Sequence, residues 1–382
     1  MANFIGKNTD FTWFSGVVED RHDPLFAGRL RVRCLGYHTD NKSELPTADL
    51  PWAICIMGNG SPGISGLGHS PSFLVEGSWV WGYFRDSTGH QEPIIVGSLP
   101  GKPVSLGNPN SGFYDPNRRS DDDTKEEYNQ SVYPKEIHEV DTNRLAVNDI
   151  EKEHASLTTR KADRELNLKI PTADFDEVTA ADGSNIAASD STTWDQPEVP
   201  YKAVYPYNHV YETESGHITE FDDSFVIDEN GIRTNHYRIH SRHTSGTGYE
   251  IDNAGNIVNK VVADSYELID KNSYVNIKEN SDITINGRHK IFINKDAKEN
   301  NHYDIHVGAN ANINIQVDTG DINMVTKGGR INVNAGGDYN VRVGGNYTIS
   351  VDGNKTESIS GSKTSNTTGA VVHRGATIDL NP

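Results

Sequence analysis

The chain has 382 residues, of which only 34% are hydrophobic, with 35 glycines and a formal net charge of −19. That balance disfavours a large helical core and fits an all-β chain with many turns. The acidic surface argues against nucleic acid as a partner, because phosphate binding needs a basic footprint.

Cys34 and Cys55 are the only cysteines, too few for a disulfide framework, and Cys34 sits in an alternating strand pattern that predicts a buried free thiol. The first residues lack the basic and apolar regions of a signal peptide. No apolar run reaches the roughly 20 residues of a membrane helix. Synthesis and assembly in a cytoplasm are therefore expected.

Residues 11 to about 100 read as five short strands. Phe11 to Val18 is strand-like, and Asp23-Pro24 turns the chain. Leu30, Val32 and Cys34 then alternate with Arg29, Arg31 and Arg33, which predicts a half-buried strand with a basic outer face. Leu50 to Met57, Gly77 to Phe84 and Pro93 to Gly97 supply the rest, a size that suits an OB-type barrel. Trp79, Trp81 and Tyr83 share one face and either fill a small barrel or face a neighbouring subunit. The loop from Gly58 to Gly68 is glycine-rich, but no Lys-Ser/Thr pair follows it, so it is not a phosphate-binding loop.

Residues 107–200 change character. Asp121 to Glu127 is a charge run, and Thr172 to Pro200 is rich in Ala, Asp, Ser and Thr, so the interval reads as a partly irregular linker. One short helix is expected near 149–169 with Asp149 as its cap, although Leu157, Leu166 and Leu168 give it too little apolar face for an independent domain. His236, His240 and His243 are close in sequence, but on extended strands such side chains do not converge on a metal. No metal site and no cofactor is expected.

From Gly329 the chain becomes periodic. Glycines stand at Gly329, Gly337, Gly345, Gly353, Gly361 and Gly369, eight apart. Between them Ile331 and Val333, then Tyr339, Val341 and Val343, then Tyr347, Ile349 and Val351 occupy every second place. This is a strand with one buried face, broken by a turn and repeated, which predicts a stacked rod. Upstream, Val275/Ile277, Ile283/Ile285 and Ile291/Ile293 keep the spacing, residues 295–301 interrupt it, and Ile305/Val307 and Ile313/Ile315 resume it. Past Gly353 the equivalent positions become Lys355, Glu357, Ile359, Lys363 and Ser365, a polar layer that needs paired charges.

A resemblance ties these parts together. Trp13-Phe14-Ser-Gly16-Val-Val-Glu-Asp20, then Asp23-Pro24, then Gly28-Arg29-Leu-Arg31-Val-Arg33 resemble the N-terminal OB domain of the central-spike (tail-associated lysozyme) family of T4-type phages. The same module opens the valine-glycine repeat spikes of type VI secretion. Tyr205, Pro206, Tyr207, Asn208, His209, Gly216, His217, Phe221, Asp222 and Asp223 belong to a segment, Tyr201 to Asp223, similar to the one that enters the family's β-helix.

The resemblance implies an OB domain at 1–106, a linker at 107–200 and a C-terminal intertwined trimeric triangular β-helix at 201–382. It further implies baseplate hub partners for the OB domain, a PAAR-type protein at the tip, transient contact with the host membrane and a place in the virion. In that family the middle of the chain carries a muramidase. Here Glu151, Glu153, Asp163 and Glu165 pair only as charges in any linker pair, and no matching signature stands around them. A spike without lysozyme activity is expected. With three chains alternating along each face, about 170 residues at roughly 4.8 Å per strand give a rod on the order of 100 Å. The competing readings are a peptidoglycan hydrolase hidden in 102–200, a glycan-binding or glycan-cleaving tail fibre, and a type VI secretion-like spike.

Overall fold

The computed structural model describes residues 12–69, 72–86, 88–102, 104–105, 108, 110–114, 138–149, 169–171, 178–180, 183, 185–186, 193–195, 197, 199–293 and 302–378. By internal contacts the chain divides into two units, Met1–Lys169 with Asp195–Lys278, and Ile170–Trp194 with Glu279–Pro382. Of the helix expected near 149–169, residues 150–168 lie outside the described residues, as do Glu151, Glu153, Asp163 and Glu165. Asp149 donates its amide to the Arg144 carbonyl at 2.9 Å, and Lys169 opens a strand. Among the described residues the chain is nearly all β, with a single 3-10 turn at Thr47–Asp49.

The first unit opens with a closed barrel of β1 (Thr12–Asp20), β2 (Leu30–Cys34), β3 (Trp52–Cys55), β4 (Trp79–Phe84) and β5 (Pro93–Ser98), ordered β1-β2-β3-β5-β4. All pairings are antiparallel except β3 with β5. This is the OB-type architecture expected from strand number and size. Period-two alternation sends Phe14, Val18, Leu30, Val32, Cys34, Ala53, Val80, Phe84 and Ile95 into one core. Burial pushes the Cys34 thiol far above its ordinary range, so it behaves as a small hydrophobe. Gly82 is required sterically: a Cβ there would lie 2.0 Å from the Ile94 carbonyl oxygen.

Four two-residue or three-residue strands follow: β6 (Lys169–Pro171) pairs with β9 (Thr193–Asp195), and β7 (Val178–Thr179) with β8 (Asn185–Ile186). Then comes a five-stranded antiparallel sheet. Its strands are β10 (Asn208–Glu212), β11 (Ile218–Asp222), β14 (Arg238–Arg242), β15 (Gly248–Ile251) and β16 (Ile257–Lys260), adjacent in that order. The hairpin β12 (Phe225–Ile227) and β13 (Arg233–Asn235) is inserted between β11 and β14.

One turn design recurs in this part of the chain. Thr213–His217, Asp228–Ile232, His243–Thr247 and Asp252–Asn256 each place a glycine fourth, with φ between 78° and 96° at Gly216, Gly231, Gly246 and Gly255. In each, the glycine amide donates to the first residue's carbonyl at 2.9 or 3.0 Å. A left-handed residue closing a three-residue hairpin loop is a place for glycine. At Asp228 and Asp252 the side chain also accepts amides two and four residues ahead, which fixes the loop before any tertiary contact forms.

From Val261 to Ile378 every described residue is exposed, and none belongs to a strand. The backbone nevertheless carries the octad. Bends fall at 262–263, 270–271, 278–279 and 286–287, and again at 336–337, 344–345, 352–353, 360–361 and 368–369, with extended chain between them. The period therefore begins at 262, earlier than the glycines and apolar pairs indicated.

Candidate assembly surface

The five-stranded sheet has inverted polarity. Its covered face carries Asn208, Ile218, Glu220, Asp222, Arg238, His240 and Arg242, all buried, with Glu250 beside them. Its open face carries Phe221 (55% exposed), Ile239 (39%), Tyr211 (47%), Tyr249 (41%) and Ile257 (58%). Strand register aligns these into two rows. One runs His209, Phe221, Ile239, Ile251, Ile257, and the other Tyr211, Thr219, Ser241, Tyr249, Asn259. Neither row contains an aspartate, glutamate, lysine or arginine.

Charges are tolerated on the covered face because they are paired there. The Arg238 guanidinium donates to Glu220, and to Glu250 Oε2 at 2.9 Å, with Asp222 Oδ2 at 3.8 Å. It stacks 4.9 Å from the Tyr201 ring centroid. Burial by itself lowers the Arg238 pKa, and the Glu220 and Glu250 carboxylates more than offset it, so the net shift is upward. His240 Nδ1 lies 3.0 Å from Glu220 Oε1.

A strap of chain seals this ionic layer. Leu145, Tyr201, Ala203 and Ile218 form a small apolar cluster, with Val199 and Val210 against it. The Leu145 carbonyl accepts from Tyr201 Oη at 2.6 Å and from Asn208 Nδ2 at 3.2 Å. Asn143 Nδ2 donates to Glu212 Oε2 at 2.7 Å.

The expected entry residues take distinct roles. Asn208 and Asp222 belong to the buried layer, Phe221 and His209 to the open row, and Gly216 to a turn. Tyr205 is exposed and precedes Pro206 through a cis peptide, while Tyr207 packs on Phe225 with centroids 4.7 Å apart. Asp223 donates its amide to the Tyr207 carbonyl at 3.0 Å. His217 stands against His243, ring centroids 4.5 Å apart.

The barrel corrects one expectation. Arg29, Arg31 and Arg33 do not make a basic outer face. Asp23 accepts the amides of Leu25, Ala27 and Arg29 at 3.0–3.2 Å and two bonds from the Arg29 side chain, at 3.0 and 2.6 Å, which closes the turn at Pro24 and Gly28. The Arg29 hydrogen bonds hold the Asp23 carboxyl far below the usual carboxylate range. Arg31 lies over the Trp52 ring at 4.5 Å and meets Asp20 at 3.6 Å.

Arg33 is fully buried. Its guanidinium donates to Glu19 at 2.6 and 3.1 Å, to the Thr39 carbonyl at 2.6 Å and to the Leu45 carbonyl at 2.7 Å. The physical reason is the segment from Thr39 to Thr47, which lies over this face, brings the Thr39 and Leu45 carbonyls onto the guanidinium, and donates Thr47 Oγ1 to Glu19 at 2.7 Å. Gly16 permits the close approach there, since a Cβ would lie 2.5 Å from the Arg33 carbonyl oxygen.

Of the two placements weighed for the barrel aromatics, filling the interior is excluded. Trp79 and Trp81 are each more than a third exposed, and Trp81 stacks face to face on Trp13 at 4.4 Å with Tyr83 edge-on. In the polar layer of the repeat, Glu357 accepts from Lys355 at 3.4 Å and from Lys363, and those lysines lower its pKa. Asp20, His22 and Glu76 bring three ligand-capable atoms within 4.8 Å, but Arg21 already sits 3.3 Å from Glu76 and supplies the cation there.

A closed OB-type barrel, a strapped sheet with an open apolar face and an eight-residue repeat define the class: a barrel-and-repeat protein in which no described residue of the repeat is buried. The comparisons with known proteins name the relatives. Residues 36–185 match the model described as the Gp5 N-terminal OB domain, and residues 337–360 match three copies of the Gp5 C-terminal repeat. The first match begins after β1 and β2 and runs well past β5, so it and the barrel overlap only in part. The chain is 36% identical over 288 residues to Protein Gp5 of Vibrio phage KVP40, an alignment covering 72% of this chain and 63% of that protein. It is 39% identical over 114 residues to the pre-baseplate central spike protein Gp5 of Enterobacteria phage T4, covering 28% of this chain and 20% of that one. The chain is homologous to the phage Gp5 proteins, and spans less than two thirds of the length of either relative.

Proposed function

We propose that this chain is the structural central spike of a contractile phage tail baseplate. It acts as a homotrimer that pierces the host envelope by transmitting the force of sheath contraction. The observation that carries the reading is the charge-free apolar face of the β10–β16 sheet, which is uncovered in a single chain and runs directly into an uncovered eight-residue repeat. An apolar sheet face and a long series of unpaired extended segments demand a partner. Interlacing three copies pairs the edges and puts the apolar positions on the axis.

The T4 relative's own description as a central spike supports the same role. Location in the virion baseplate, hub proteins contacted through the barrel and a PAAR-type protein at the C-terminal tip belong to this reading. Lysozyme activity does not, because no pair of carboxylates in the sequence matches that chemistry.

Light scattering on the purified chain tests the assembly: a trimeric mass, resistant to SDS, is expected, and a monomer or dimer defeats the proposal. A zymogram on bacterial cell wall tests the second part. Lysis that depends on residues 102–200 would replace the piercing role with a peptidoglycan hydrolase.

A further inference from the structure

The stretch from Ile56 to Val75, which links β3 to β4, contains no aspartate, glutamate, lysine or arginine in a chain of net charge −19. It nonetheless exposes Ile56, Met57, Ile64, Leu67 and Phe73, the last three more than 60%. The presentation of its tip is built in. Leu67 donates its amide to the Ile64 carbonyl at 2.9 Å, and His69 donates to Ser61 Oγ at 3.0 Å. Positive φ at Gly63 (58°), Ser65 (52°), Gly66 (73°) and Gly68 (98°) curls the backbone so that Ile64 and Leu67 stay outside. Serine at such a φ is uncommon, and the geometry persists only where surroundings fix it.

The two ends of the stretch are anchored differently. Leu74 packs on the barrel core. Phe73 turns away from it and meets Tyr211 edge to face, ring centroids 5.2 Å apart. Tyr211 belongs to the open row of the sheet. The loop is thus a continuation of the sheet's apolar face onto the barrel, within the same unit of the chain.

We infer that this loop is a self-association surface, packing in the assembled protein against a second copy of the same chain. The inference rests on the trimeric reading above and extends it from the repeat to the collar. The occupant is argued from charge and continuity. Copies that each carry −19 repel, so they approach most closely where charge is absent. This surface is charge-free and joins the sheet face that already requires another copy. With no lysine or arginine in the stretch, it lacks the basic footprint that an anionic occupant, nucleic acid or lipid headgroup, requires.

Cysteine footprinting on the full chain tests it. Leu67→Cys reports the loop, and Ser43→Cys, on an exposed site of the barrel, is the control. The native Cys34 and Cys55 react slowly, because burial raises both thiols and the thiolate is the nucleophile. In protein of trimeric mass, iodoacetamide should label position 67 about tenfold more slowly than position 43, with equal rates once heating in guanidinium has unfolded and separated the chains. Equal rates in the intact trimer overturn the inference, leave the spike standing, and give the loop to a different protein. A monomeric mass overturns the spike reading itself. If Leu67→Cys fails to assemble, hydrogen exchange on the unaltered protein decides: protection of the Ile64, Ser65 and Gly66 amides supports the contact, and exchange within seconds refutes it.

Discussion

Replacing Arg33 by methionine removes one buried charge and keeps much of the side chain's volume. Glu19 is then left with no exposed side-chain surface and no guanidinium, although Thr47 Oγ1 still donates to it at 2.7 Å. The Thr39 and Leu45 carbonyls lose their donor as well. Breaking a buried ion pair by removing one partner costs about 3–5 kcal/mol. With a urea dependence of about 2 kcal/mol per molar, the unfolding midpoint of the barrel should fall by roughly 2 M. Four of the five tryptophans, Trp13, Trp52, Trp79 and Trp81, lie in the barrel, so intrinsic fluorescence during a urea titration reports this unit. Adding Glu19→Gln to Arg33→Met should recover part of the loss, because the stranded carboxylate is the main penalty. A single-variant shift below about 0.5 M, or a double variant no better than the single, would refute the assignment of Arg33 to the interior.

Asp23 carries a pH dependence: its folded pKa is depressed, so its stabilisation is full above the ordinary carboxylate value of about 3.9 and disappears as pH falls below that. Asp23→Asn should therefore flatten the acid limb of barrel stability below about pH 4 and lower stability at pH 7. Gly82→Ala forces a methyl onto the Ile94 carbonyl and should destabilise the barrel by at least about 1–3 kcal/mol, measured in the same titration. Tyr201→Phe removes the hydroxyl that the Leu145 carbonyl accepts; about 1 kcal/mol should be lost, seen as faster hydrogen exchange across 143–149.

Much of this architecture is legible in the chain. The alternation of Leu30, Val32 and Cys34 gives a strand and its inward face correctly. It fails at Arg33, because periodicity knows nothing of the carbonyls of Thr39 and Leu45 that meet the guanidinium. Trp79, Trp81 and Tyr83 fall on one face as expected, yet which face is inside depends on Val80 and Phe84 being the better core, a comparison of two apolar sets. The fourth-place glycines of the hairpin turns were visible as Gly216, Gly231 and Gly246, fifteen apart, and would have located those loops. The first octad escaped because its bends fall at Val262-Ala263 and Asp270-Lys271, where no glycine marks them.

The hardest feature to read was the polarity of the β10–β16 sheet, since Ile-Thr-Glu-Phe-Asp and Arg-Ile-His-Ser-Arg alternate in either sense. A lone domain would turn Phe221 and Ile239 inward. A one-residue slip does that, because it exchanges the two faces of a strand. The slipped sheet would bury its apolar row under its own strap and leave no surface for another copy. The paired charges forbid it: Arg238 finds Glu220, Glu250 and the Tyr201 ring only in the observed register. Buried ionic groups are best attested in this register-setting use, and replacing them by apolar residues is often stabilising by about 1–4 kcal/mol. The combined variant Glu220→Leu, Arg238→Met and His240→Leu separates stability from assembly. It should still unfold cooperatively in a urea titration while its trimeric fraction, by light scattering, falls. A variant that assembled as fully as the parent chain would show that the ionic layer plays no part in keeping the apolar face outward.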